Sequence, residues 1–533
     1  MAAPGATEHD VPRRRRAWVE TYGCQMNVSD GELMQGILAA AGYDLADSPE
    51  NADVVLVNTC AIREHAEQRV IGRVGQLNAI KKERPDLVIG VTGCMAQRLG
   101  ERLLEQAPYV DLVMGPDAYR GLPEVLRRLR PAEAEAEAEA EAEAEAEAEA
   151  EAEAEAEEAE AAPEAQGGRR SNPNRRELPV LGTLPGSGAA RRSGAVLAGG
   201  SARSGSTPSG PQRLAVLDFE PHENYEGLEV RRAEGVTAWV PVQRGCDHRC
   251  TYCIVPYVRG PEKNRAPERV LDEVRAFAKG GGVEVTLLGQ TVNSYRHGDW
   301  DFARLLRAVA RVPGIRRVRY TSPHPNDVTP ELVEVMATEP TVCRQLHLPL
   351  QSGSDRTLKR MLRRYTVDSF LEKVELVREA MPDIALSTDI IVAFPGETEE
   401  EYEATLDVFA RVRFDDAYLY RYSAREGTPA TRLPAGDFLP DEVAQARLER
   451  LIALHRGIQA EVNAAQVGRV EEVLVERRAR SAGDMLGRTE GNKVVAFPGD
   501  ERLVGRFTRV RLTGTTGATF TGERLAQAEA GAA

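Results

Sequence analysis

The spacing of hydrophobic residues between positions 16 and 130 predicts a small domain in which strands and helices alternate. The apolar runs typical of buried strands are AWVETYGC, ADVVLVNTC, LVIGVTGC and YVDLVMG. Between them, GELMQGILAAAGY and AEQRVIGRVGQLNAIKK place apolar residues three or four positions apart, as amphipathic helices do. This alternation predicts a parallel sheet covered by helices, and we assign residues 16–130 to an N-terminal α/β domain.

A longer alternation of the same kind follows from residue 239 to about residue 460. Its strand candidates are WVPVQRGC, VEVTLLGQ, RRVRYTSP, RQLHLPLQSG, ALSTDIIVAFPG and DDAYLYRYSA. Six βα units predict an incomplete barrel of TIM type, with function at the C-terminal ends of its strands, and we assign residues 214–464 to it. Short β-rich pieces broken by glycine predict a small OB-like β-barrel over residues 465–530.

A low-complexity insertion, residues 131–213, separates the first two domains. It begins as Glu-Ala alternation and continues as a stretch rich in Gly, Ser, Pro and Arg, so we expect a disordered linker. The net charge of the chain is −15, but residues 132–165 alone carry 16 Glu and no basic residue. The remainder has a net charge of +1, so the acidity of the chain does not exclude a nucleic-acid partner.

The expected location is the cytoplasm. The chain contains no run of about 18 apolar residues, so we expect no membrane association. The first residues carry arginines without an apolar segment after them, which does not resemble a secretory signal. Seven cysteines without an export signal favour reduced thiols over disulfides, and we expect a monomer.

Three of the cysteines each close a predicted strand of the N-terminal sheet. Cys24 ends TYGC, Cys60 ends VLVNTC and Cys94 ends VTGC. The carboxyl ends of parallel strands meet at one edge of a sheet, where ligands of open α/β sheets bind. We therefore expect a shared iron–sulfur site, and the alternative is three separately buried thiols.

Three more cysteines lie within eight positions, in RGCDHRCTYC. The spacing of Cys246, Cys250 and Cys253 suits three thiolates on one face of a 4Fe-4S cluster, which normally takes four cysteines. A zinc site that uses His248 as fourth ligand is the alternative. We expect the remaining cysteine, Cys343, to be a buried strand thiol.

Several long motifs occur in the order typical of one enzyme family. They are TYGCQMNVSD, NTCAIREHAEQRV, GCMAQR, QRGCDHRCTYCIVPYVRG, TSPHP, HLPLQSGSDRTLKRMLRRYT and STDIIVAFPGETEEEYEAT. With CxxxCxxC after the first barrel strand, the chain resembles the methylthiotransferases of the radical S-adenosylmethionine superfamily. Within that family it is most similar to the enzymes that act on isopentenylated adenosine beside the tRNA anticodon. The resemblance covers about 16–130 and 214–530 and departs from the family at Pro261 and Asn264.

The resemblance implies two 4Fe-4S clusters and S-adenosylmethionine as cofactors. Cys246, Cys250 and Cys253 would act in catalysis by holding the cluster whose open iron binds S-adenosylmethionine, which is cleaved to a 5′-deoxyadenosyl radical. The other cluster, on Cys24, Cys60 and Cys94, would deliver sulfur, and a second S-adenosylmethionine the methyl group. Such chemistry suits an aromatic C–H bond, which acids and bases cannot activate. The implied partners are the tRNA anticodon loop, a sulfur donor and an electron donor such as flavodoxin or ferredoxin.

Further site residues follow from the resemblance and from their positions at strand ends. Tyr252, Gln290, Asn293 and Ser352 are the candidates for binding S-adenosylmethionine, and each has a packing or turn-forming role as its alternative. Looser candidates are Glu397, His324 and His347. The resemblance of residues 465–530 to a TRAM domain, which binds RNA, implies phosphate contacts by Arg469, Arg488 and Lys493.

Other functions stay open at this stage. One is methylthiolation of a different target, either threonylcarbamoyl-adenosine in tRNA or an aspartate of a ribosomal protein. QMN after Cys24 favours the isopentenyl-adenosine target among family members. The alternative from another class is a zinc-stabilised RNA-binding protein without catalytic activity.

Overall fold

A computed structural model describes residues 14–61, 64–130, 196–197, 213–232, 235–481 and 483–525. The predicted linker, residues 131–213, lies outside the described residues except for 196–197 and 213. Within the described part of the chain, no helix is long and apolar enough to cross a membrane.

The N-terminal domain is built on a seven-stranded sheet with the strand order β2-β1-β3-β4-β5-β7-β6. Its strands are β1 (Arg16–Tyr22), β2 (Asp44–Leu45), β3 (Val54–Thr59), β4 (Val88–Gly93), β5 (Leu112–Met114), β6 (Val196–Leu197) and β7 (Leu214–Val216). All neighbours are parallel except β6 and β7. Its helices are α1 (Gln25–Ala40), α2 (Glu64–Glu83), α3 (Cys94–Leu99), α4 (Glu101–Gln106) and α5 (Leu122–Leu129).

The two central strands, β3 and β4, are buried along their whole length. Alternate residues of β3 enter two separate apolar cores: Val54 and Leu56 belong to one, Val55 and Val57 to the other. A strand covered on both faces must be apolar on both faces, which is why VVLVNT does not alternate with polar residues. The parallel α/β domain predicted from the sequence is confirmed.

Strand β7 completes this sheet from the far side of the insertion. Residues 214–216 pair in parallel with β5, and Tyr225 packs into the core beneath α1 and α5. The predicted start of the second domain at residue 214 therefore falls within a segment that pairs with the N-terminal sheet.

The second domain is a partial barrel made of two three-stranded parallel sheets, β14-β11-β8 and β15-β16-β17. A single parallel bridge between Val318 and Val342 joins them. The strands of this domain are β8 (Thr237–Pro241), β9 (Gln243–Arg244), β10 (Lys263–Asn264), β11 (Glu284–Leu288), β12 (Arg296–His297), β13 (Trp300–Asp301), β14 (Arg317–Tyr320), β15 (Gln345–His347), β16 (Ala385–Val392) and β17 (Asp416–Arg421). All six predicted barrel strands are present, and the incomplete TIM-like barrel is confirmed.

Helices cover the outside of the partial barrel and share one large apolar core with it. They are α7 (Pro267–Lys279), α8 (Phe302–Ala310), α9 (Pro330–Thr338), α11 (Val367–Ala380), α12 (Glu399–Val412) and α13 (Asp441–Ala464). Two shorter helices of this domain, α6 (Val255–Val258) and α10 (Asp355–Arg360), lie outside that core. Side-chain caps begin several of them; Thr366 and Thr398, for example, accept the N3 backbone N–H of α11 and α12.

The C-terminal domain is a closed five-stranded barrel with the order β18-β19-β20-β22-β21, so the small β-barrel predicted from the sequence is confirmed. Its strands are β18 (Val470–Arg478), β19 (Asp484–Arg488), β20 (Val494–Pro498), β21 (Phe507–Thr515) and β22 (Thr519–Arg524). Alternate residues of each strand, including Val473, Met485 and Phe497, fill its interior.

Two buried arginines of the partial barrel fasten the C-terminal barrel to it. Arg317 and Arg319 alternate along β14 and donate hydrogen bonds to backbone carbonyls of the C-terminal barrel. The accepting residues are Glu472, Arg488, Thr489 and Glu490. Arg317 is the first residue of β14, so the C-terminal barrel contacts the partial barrel at the N-terminal ends of its strands. The loop that carries Cys246, Cys250 and Cys253, called the cysteine loop below, lies at the opposite, C-terminal ends.

Candidate active site

The structure brings Cys24, Cys60 and Cys94 together at one edge of the N-terminal sheet. Cys60 and Cys94 directly follow β3 and β4, and the strand register aligns Tyr22, Thr59 and Gly93. A hydrogen bond with Cys60 lowers the pKa of Cys24 to about 6, although burial opposes the effect. The first of the two cysteine sets is therefore a real spatial cluster.

Asparagine side chains shape the backbone at this edge. Asn58 donates to the Asn27 carbonyl at 2.7 Å, and Asn27 donates to the Thr59 carbonyl at 3.2 Å. Gly93 has a φ of +91°, and a Cβ there would lie 2.5 Å from the Asn58 side-chain oxygen. Glycine is therefore required in VTGC to turn β4 directly into α3, whose first residue is Cys94.

A buried arginine from the partial barrel reaches this cluster. The Arg259 Nε donates to the Cys94 sulfur at 3.1 Å, and its Nη2 donates to Asp30 at 2.7 Å. Asp30 also forms an ion pair with Arg244 at 2.8 Å. The three charged side chains are at most 5% exposed, so they form a buried ion triad between the two domains.

The second cysteine set lies in the loop between β9 and α6. Burial raises the pKa of Cys246 to about 11 and that of Cys253 to about 12. Gly245 begins the loop with a φ of +75°, and a Cβ there would lie 1.9 Å from the Pro261 carbonyl oxygen. The three thiols interact electrostatically with one another, so the loop presents them as one group.

A half-buried arginine contacts this set. The Arg363 Nη1 lies 3.5 Å from the Cys250 sulfur and donates to it. The same guanidinium donates to the Tyr365 hydroxyl at 3.0 Å and lies over the Tyr365 ring. Each cysteine set thus has one sulfur that accepts a hydrogen bond from an arginine, buried in the case of Arg259 and half-buried in the case of Arg363.

One small apolar cluster connects the two cysteine sets. It consists of Ala61, Cys94, Ile254 and Val258. Ala61 follows Cys60 and Ile254 follows Cys253, so residues adjacent to both sets pack against each other. The edge of the N-terminal sheet therefore faces the cysteine loop of the partial barrel.

Each set suits a 4Fe-4S cluster by its donor chemistry. Thiolates are the usual ligands of such clusters, and three of them leave one of four irons without a protein ligand. Binding a metal displaces the thiol protons, which the raised pKa values of Cys246 and Cys253 make dependent on pH.

His248 contacts a histidine and an aspartate that do not belong to the cysteine set. Its ring stacks on His324 with centroids 4.0 Å apart and planes at 7°, and its Nε2 lies 3.9 Å from Asp327. These three side chains lie close enough together to surround an ion, but the lone pairs of the stacked rings lie in parallel planes and do not converge on one point. Burial, together with Arg363 and His248, lowers the pKa of His324 to about 2.

The predicted S-adenosylmethionine residues occupy different environments. Tyr252 packs beside Phe394 in an apolar cluster, and Gln290 has a buried Oε1 without a hydrogen-bond partner among the described residues. The Asn293 amide is already used, since it donates to the His324 carbonyl at 2.9 Å and accepts from the His324 N–H at 2.6 Å. Ser352 is 1% exposed and accepts from the backbone N–H of Ser354. The Oε1 of Gln290 is thus a buried polar atom that remains available for a ligand.

The looser candidates take part in contacts within the fold. Glu397 accepts from the Ala393 N–H at 2.7 Å and pairs with Arg447 at 2.8 Å, which braces the turn after β16. His347 lies 3.3 Å from Asp389 and 3.1 Å from the Ser387 hydroxyl, on the inner side of β15 and β16.

The three basic residues predicted to contact phosphates are already paired with carboxylates. The pairs are Arg469 with Asp383 at 3.4 Å, Arg488 with Glu476 at 2.9 Å and Lys493 with Asp415 at 3.2 Å. Arg469 and Lys493 line a cavity of about 520 Å³ between the C-terminal barrel and the N-terminal ends of the partial barrel's strands. Of the three, only Arg488 belongs to a strand of the C-terminal barrel.

Sequence reasoning missed Arg259, Arg363 and Asp30. Each is a charged residue inside a motif that also supplies cysteines or turns, and no local periodicity marks it as buried. Arg259 could have been found from its position six residues after Cys253, next to Gly260.

Each of the three domains matches a known protein family. Residues 16–115 match Uncharacterized protein family UPF0004, residues 240–409 the Radical SAM superfamily and residues 464–525 the TRAM domain. The chain is 37% identical to the tRNA-2-methylthio-N(6)-dimethylallyladenosine synthase of Chlorobium luteolum, over 96% of this chain and 98% of that protein. Proteins of the same name from Moorella thermoacetica and Cereibacter sphaeroides are 39% and 38% identical, covering 94% and 96% of this chain and 97% and 99% of theirs. The chain therefore belongs to the family of the tRNA-2-methylthio-N(6)-dimethylallyladenosine synthases.

Proposed function

We propose that the protein adds a methylthio group to carbon 2 of N6-isopentenyladenosine next to the anticodon of tRNA. The observation that carries this proposal is the packing of Ala61 and Cys94 against Ile254 and Val258. It sets two groups of three cysteines around one space, and sulfur insertion needs both a site that activates carbon and a site that holds sulfur.

Each cysteine set supplies the protein ligands of one 4Fe-4S cluster. Cys246, Cys250 and Cys253 hold the cluster that binds S-adenosylmethionine, and Cys24, Cys60 and Cys94 hold the other. When bound, the first cluster and S-adenosylmethionine supply a radical able to remove hydrogen from an unactivated carbon. The available Oε1 of Gln290, at the end of β11, is the group best placed to contact the S-adenosylmethionine amino-acid moiety.

The surrounding residues prepare this space for reactive chemistry. Cys60, Cys94, Cys246 and Cys250 are at most 7% exposed, so the domain interface excludes water that would quench reactive intermediates. Arg259 and Arg363 each direct an N–H at one sulfur, which stabilises negative charge on the cysteine that bears it. The pairing of Arg259 with Asp30 and of Arg363 with Tyr365 keeps both donors in place.

The substrate is an unpaired base of a tRNA loop. Leaving the loop stack costs such a base little free energy, so entry into a buried pocket is feasible. The C-terminal barrel, which matches the TRAM domain, is the element that we expect to contact the RNA backbone.

The activity test uses anaerobically reconstituted protein, S-adenosylmethionine, a reductant and an anticodon stem–loop that carries isopentenyladenosine. Nucleoside mass spectrometry should detect the methylthio derivative of this base. Matched substrates are the same stem–loop with threonylcarbamoyl-adenosine or unmodified adenosine, and we expect neither to react. Methylthiolation of the threonylcarbamoyl substrate in place of the isopentenyl substrate would show that the proposed target is wrong.

The ligand assignment has its own test in the iron content. Two clusters correspond to about eight irons per chain, and replacing the three cysteines of either set with alanine should leave about four. Cys343→Ala is the matched control, because Cys343 is a buried thiol near Arg317 and Arg319, at the other end of the partial barrel. Loss of iron in the Cys343 variant, or none in either triple variant, would contradict the assignment.

The proposed reaction also needs partners. One-electron reduction of the first cluster calls for a low-potential carrier such as flavodoxin or ferredoxin, and replacement of the inserted sulfur calls for a sulfur donor. We place the protein in the cytoplasm, where thiols that hold iron–sulfur clusters stay reduced, and we expect it to act as a monomer.

A further inference from the structure

Strand β17 presents two exposed tyrosines on one face. Tyr418 is 49% exposed and Tyr420 is 41% exposed, whereas Ala417 and Leu419 between them pack into the main core. Helix α13 covers that outer side of the strand. Tyr418 and Tyr420 therefore lie on the inner side of the partial barrel, at its open edge, because β17 is the last strand of its sheet.

Residues of β15 and β16 flank the two tyrosines on the inner face of the sheet. Parallel pairing places Asp389 beside Tyr418 and Ile391 beside Tyr420 on the same face of the sheet. The His347 ring meets the Tyr418 ring edge-on, with centroids 5.7 Å apart. Tyr418 is thus held at one side, and about half of its surface still faces solvent.

The row of tyrosines runs between two parts of the proposed site. Tyr422, two residues beyond Tyr420, meets Phe394 edge-on at 5.3 Å, and both share an apolar cluster with Tyr252 of the cysteine loop. At the other end, Arg488 of the C-terminal barrel lies close enough to Tyr418 to interact with it electrostatically. The exposed rings therefore connect the RNA-binding barrel with the cysteine loop.

Exposed aromatic rings inside an enzyme barrel need a partner that covers them. A membrane or a hydrophobic protein surface fits poorly, because Asp389, Asp416 and Arg421 border the same strand with exposed or half-buried charges. Nucleic-acid bases fit well, since their flat faces stack on aromatic side chains while their backbone stays in water. At the end of the row next to the C-terminal barrel, the guanidinium of Arg488 lies near Tyr418 and suits a phosphate that flanks a stacked base.

We propose that Tyr418 and Tyr420 form a stacking surface for unpaired bases of the tRNA anticodon loop. This inference rests on the proposed function and adds to it the residues that lead the loop from the C-terminal barrel to the cysteine loop. The tyrosines act in binding, and they do not act in the transfer of sulfur.

The test measures binding of the full-length, cluster-loaded protein to the isopentenylated anticodon stem–loop at several salt concentrations. Tyr418→Ala and Tyr420→Ala should each weaken binding about 5- to 150-fold, the range for loss of one base–aromatic stack. The slope of log affinity against log salt should stay unchanged, because tyrosine contacts no phosphate as a cation. Tyr418→Phe and Tyr420→Phe should restore binding to within about twofold, since phenylalanine keeps the ring.

The matched control is Tyr109→Ala. Tyr109 is a half-buried tyrosine just before β5, at the edge of the N-terminal sheet opposite the cysteines, and its replacement should leave RNA affinity unchanged. Iron content of each variant confirms that the fold and both clusters are intact. Unchanged affinity in both alanine variants, or failure of the phenylalanine variants to restore it, would overturn the proposal.

The outcome is separable from that of the proposed function. Tight, tyrosine-dependent binding without methylthiolation of the bound RNA would refute the proposed reaction and leave the stacking surface intact. Methylthiolation with tyrosine-independent binding would refute the stacking surface alone.

Discussion

Replacing Asp30 with asparagine removes the one negative charge that two buried arginines share. The Asp30 carboxylate lies 2.8 Å from Arg244 and 2.7 Å from Arg259, and its side chain is fully buried. With charge centres about 4 Å apart, each pair contributes about 4 kcal/mol of attraction at an effective dielectric constant of 20. The loss of carboxylate desolvation offsets part of this, so we expect a net cost of about 3–5 kcal/mol, as for other broken buried pairs. Mutual repulsion between the two arginines, which then lack a counter-ion, acts in the same direction.

Hydrogen exchange of helix α1 is the appropriate measurement. A chain of several domains does not unfold in two states, so a global free energy of unfolding would be ill defined. Exchange under native conditions reports the opening free energy of α1 itself, which should fall by about 3–5 kcal/mol in Asp30→Asn. The control is Asp272→Asn on α7, where the same substitution breaks an exposed pair with Arg275 and should cost at most about 0.5 kcal/mol. A loss below about 1 kcal/mol in α1 would show that the triad does not hold the domains together.

Three further substitutions test other contacts of the site and fold. Arg259→Met removes the hydrogen bond to Cys94 and should lower the midpoint potential of the cluster held there, because the reduced, more negative cluster loses more stabilisation; redox titration followed by EPR measures it. His324→Gln should change the pH dependence of stability: native His324, with its pKa near 2, stays neutral, whereas the unfolded chain binds a proton below about pH 6.5. Because of this histidine, the free energy of unfolding of the wild-type protein should fall by about 1.5 kcal/mol between pH 6.5 and 5.0. The opening free energy measured by hydrogen exchange should not show this decrease in His324→Gln. Arg319→Met leaves backbone carbonyls of the C-terminal barrel unpaired, at about 1–3 kcal/mol each, and should speed release of that barrel in limited proteolysis.

Each of these has a control within the same chain. The potential of the cluster on Cys246, Cys250 and Cys253 should not change in Arg259→Met, and an equal shift of both clusters would point to a general structural effect. A substitution at the exposed His222 should keep the wild-type pH dependence. Arg502→Met, at a side chain 90% exposed in the C-terminal barrel, should leave its proteolytic release unchanged.

Much of the site could be predicted because its ligands follow buried strands. VVLVNT and VIGVTG are apolar on both faces, so the strands and the cysteines that end them were evident from local pattern. The six strands of the partial barrel were also predicted from their apolar runs, and the C-terminal β-rich pieces predicted a small barrel without naming its individual strands. Local periodicity predicts where a strand begins and ends, and each cysteine that follows a strand is thereby placed at the edge of the sheet.

The contacts between domains could not be predicted in this way. Asp30 and Arg259 are 229 residues apart and Cys94 and Arg259 are 165 apart, and nothing in their own neighbourhoods indicates burial. Strand β7 escaped attention because three residues, LAV, carry too little pattern without the sheet they complete. Asn293 stays a prediction as a ligand contact, and the structure adds a role that its strand-end position did not indicate, since its amide holds the His324 backbone.

The apolar cluster that joins the two cysteine sets has a consequence for how the enzyme matures. Cys60 and Cys94 are at most 4% exposed and Cys94 packs against Ile254 and Val258 across the domain interface, whereas Cys24 is half-buried. Iron therefore reaches this cysteine set more readily when the two domains part. We expect assembly and repair of its cluster to become faster when the Asp30 ion triad between the domains is weakened.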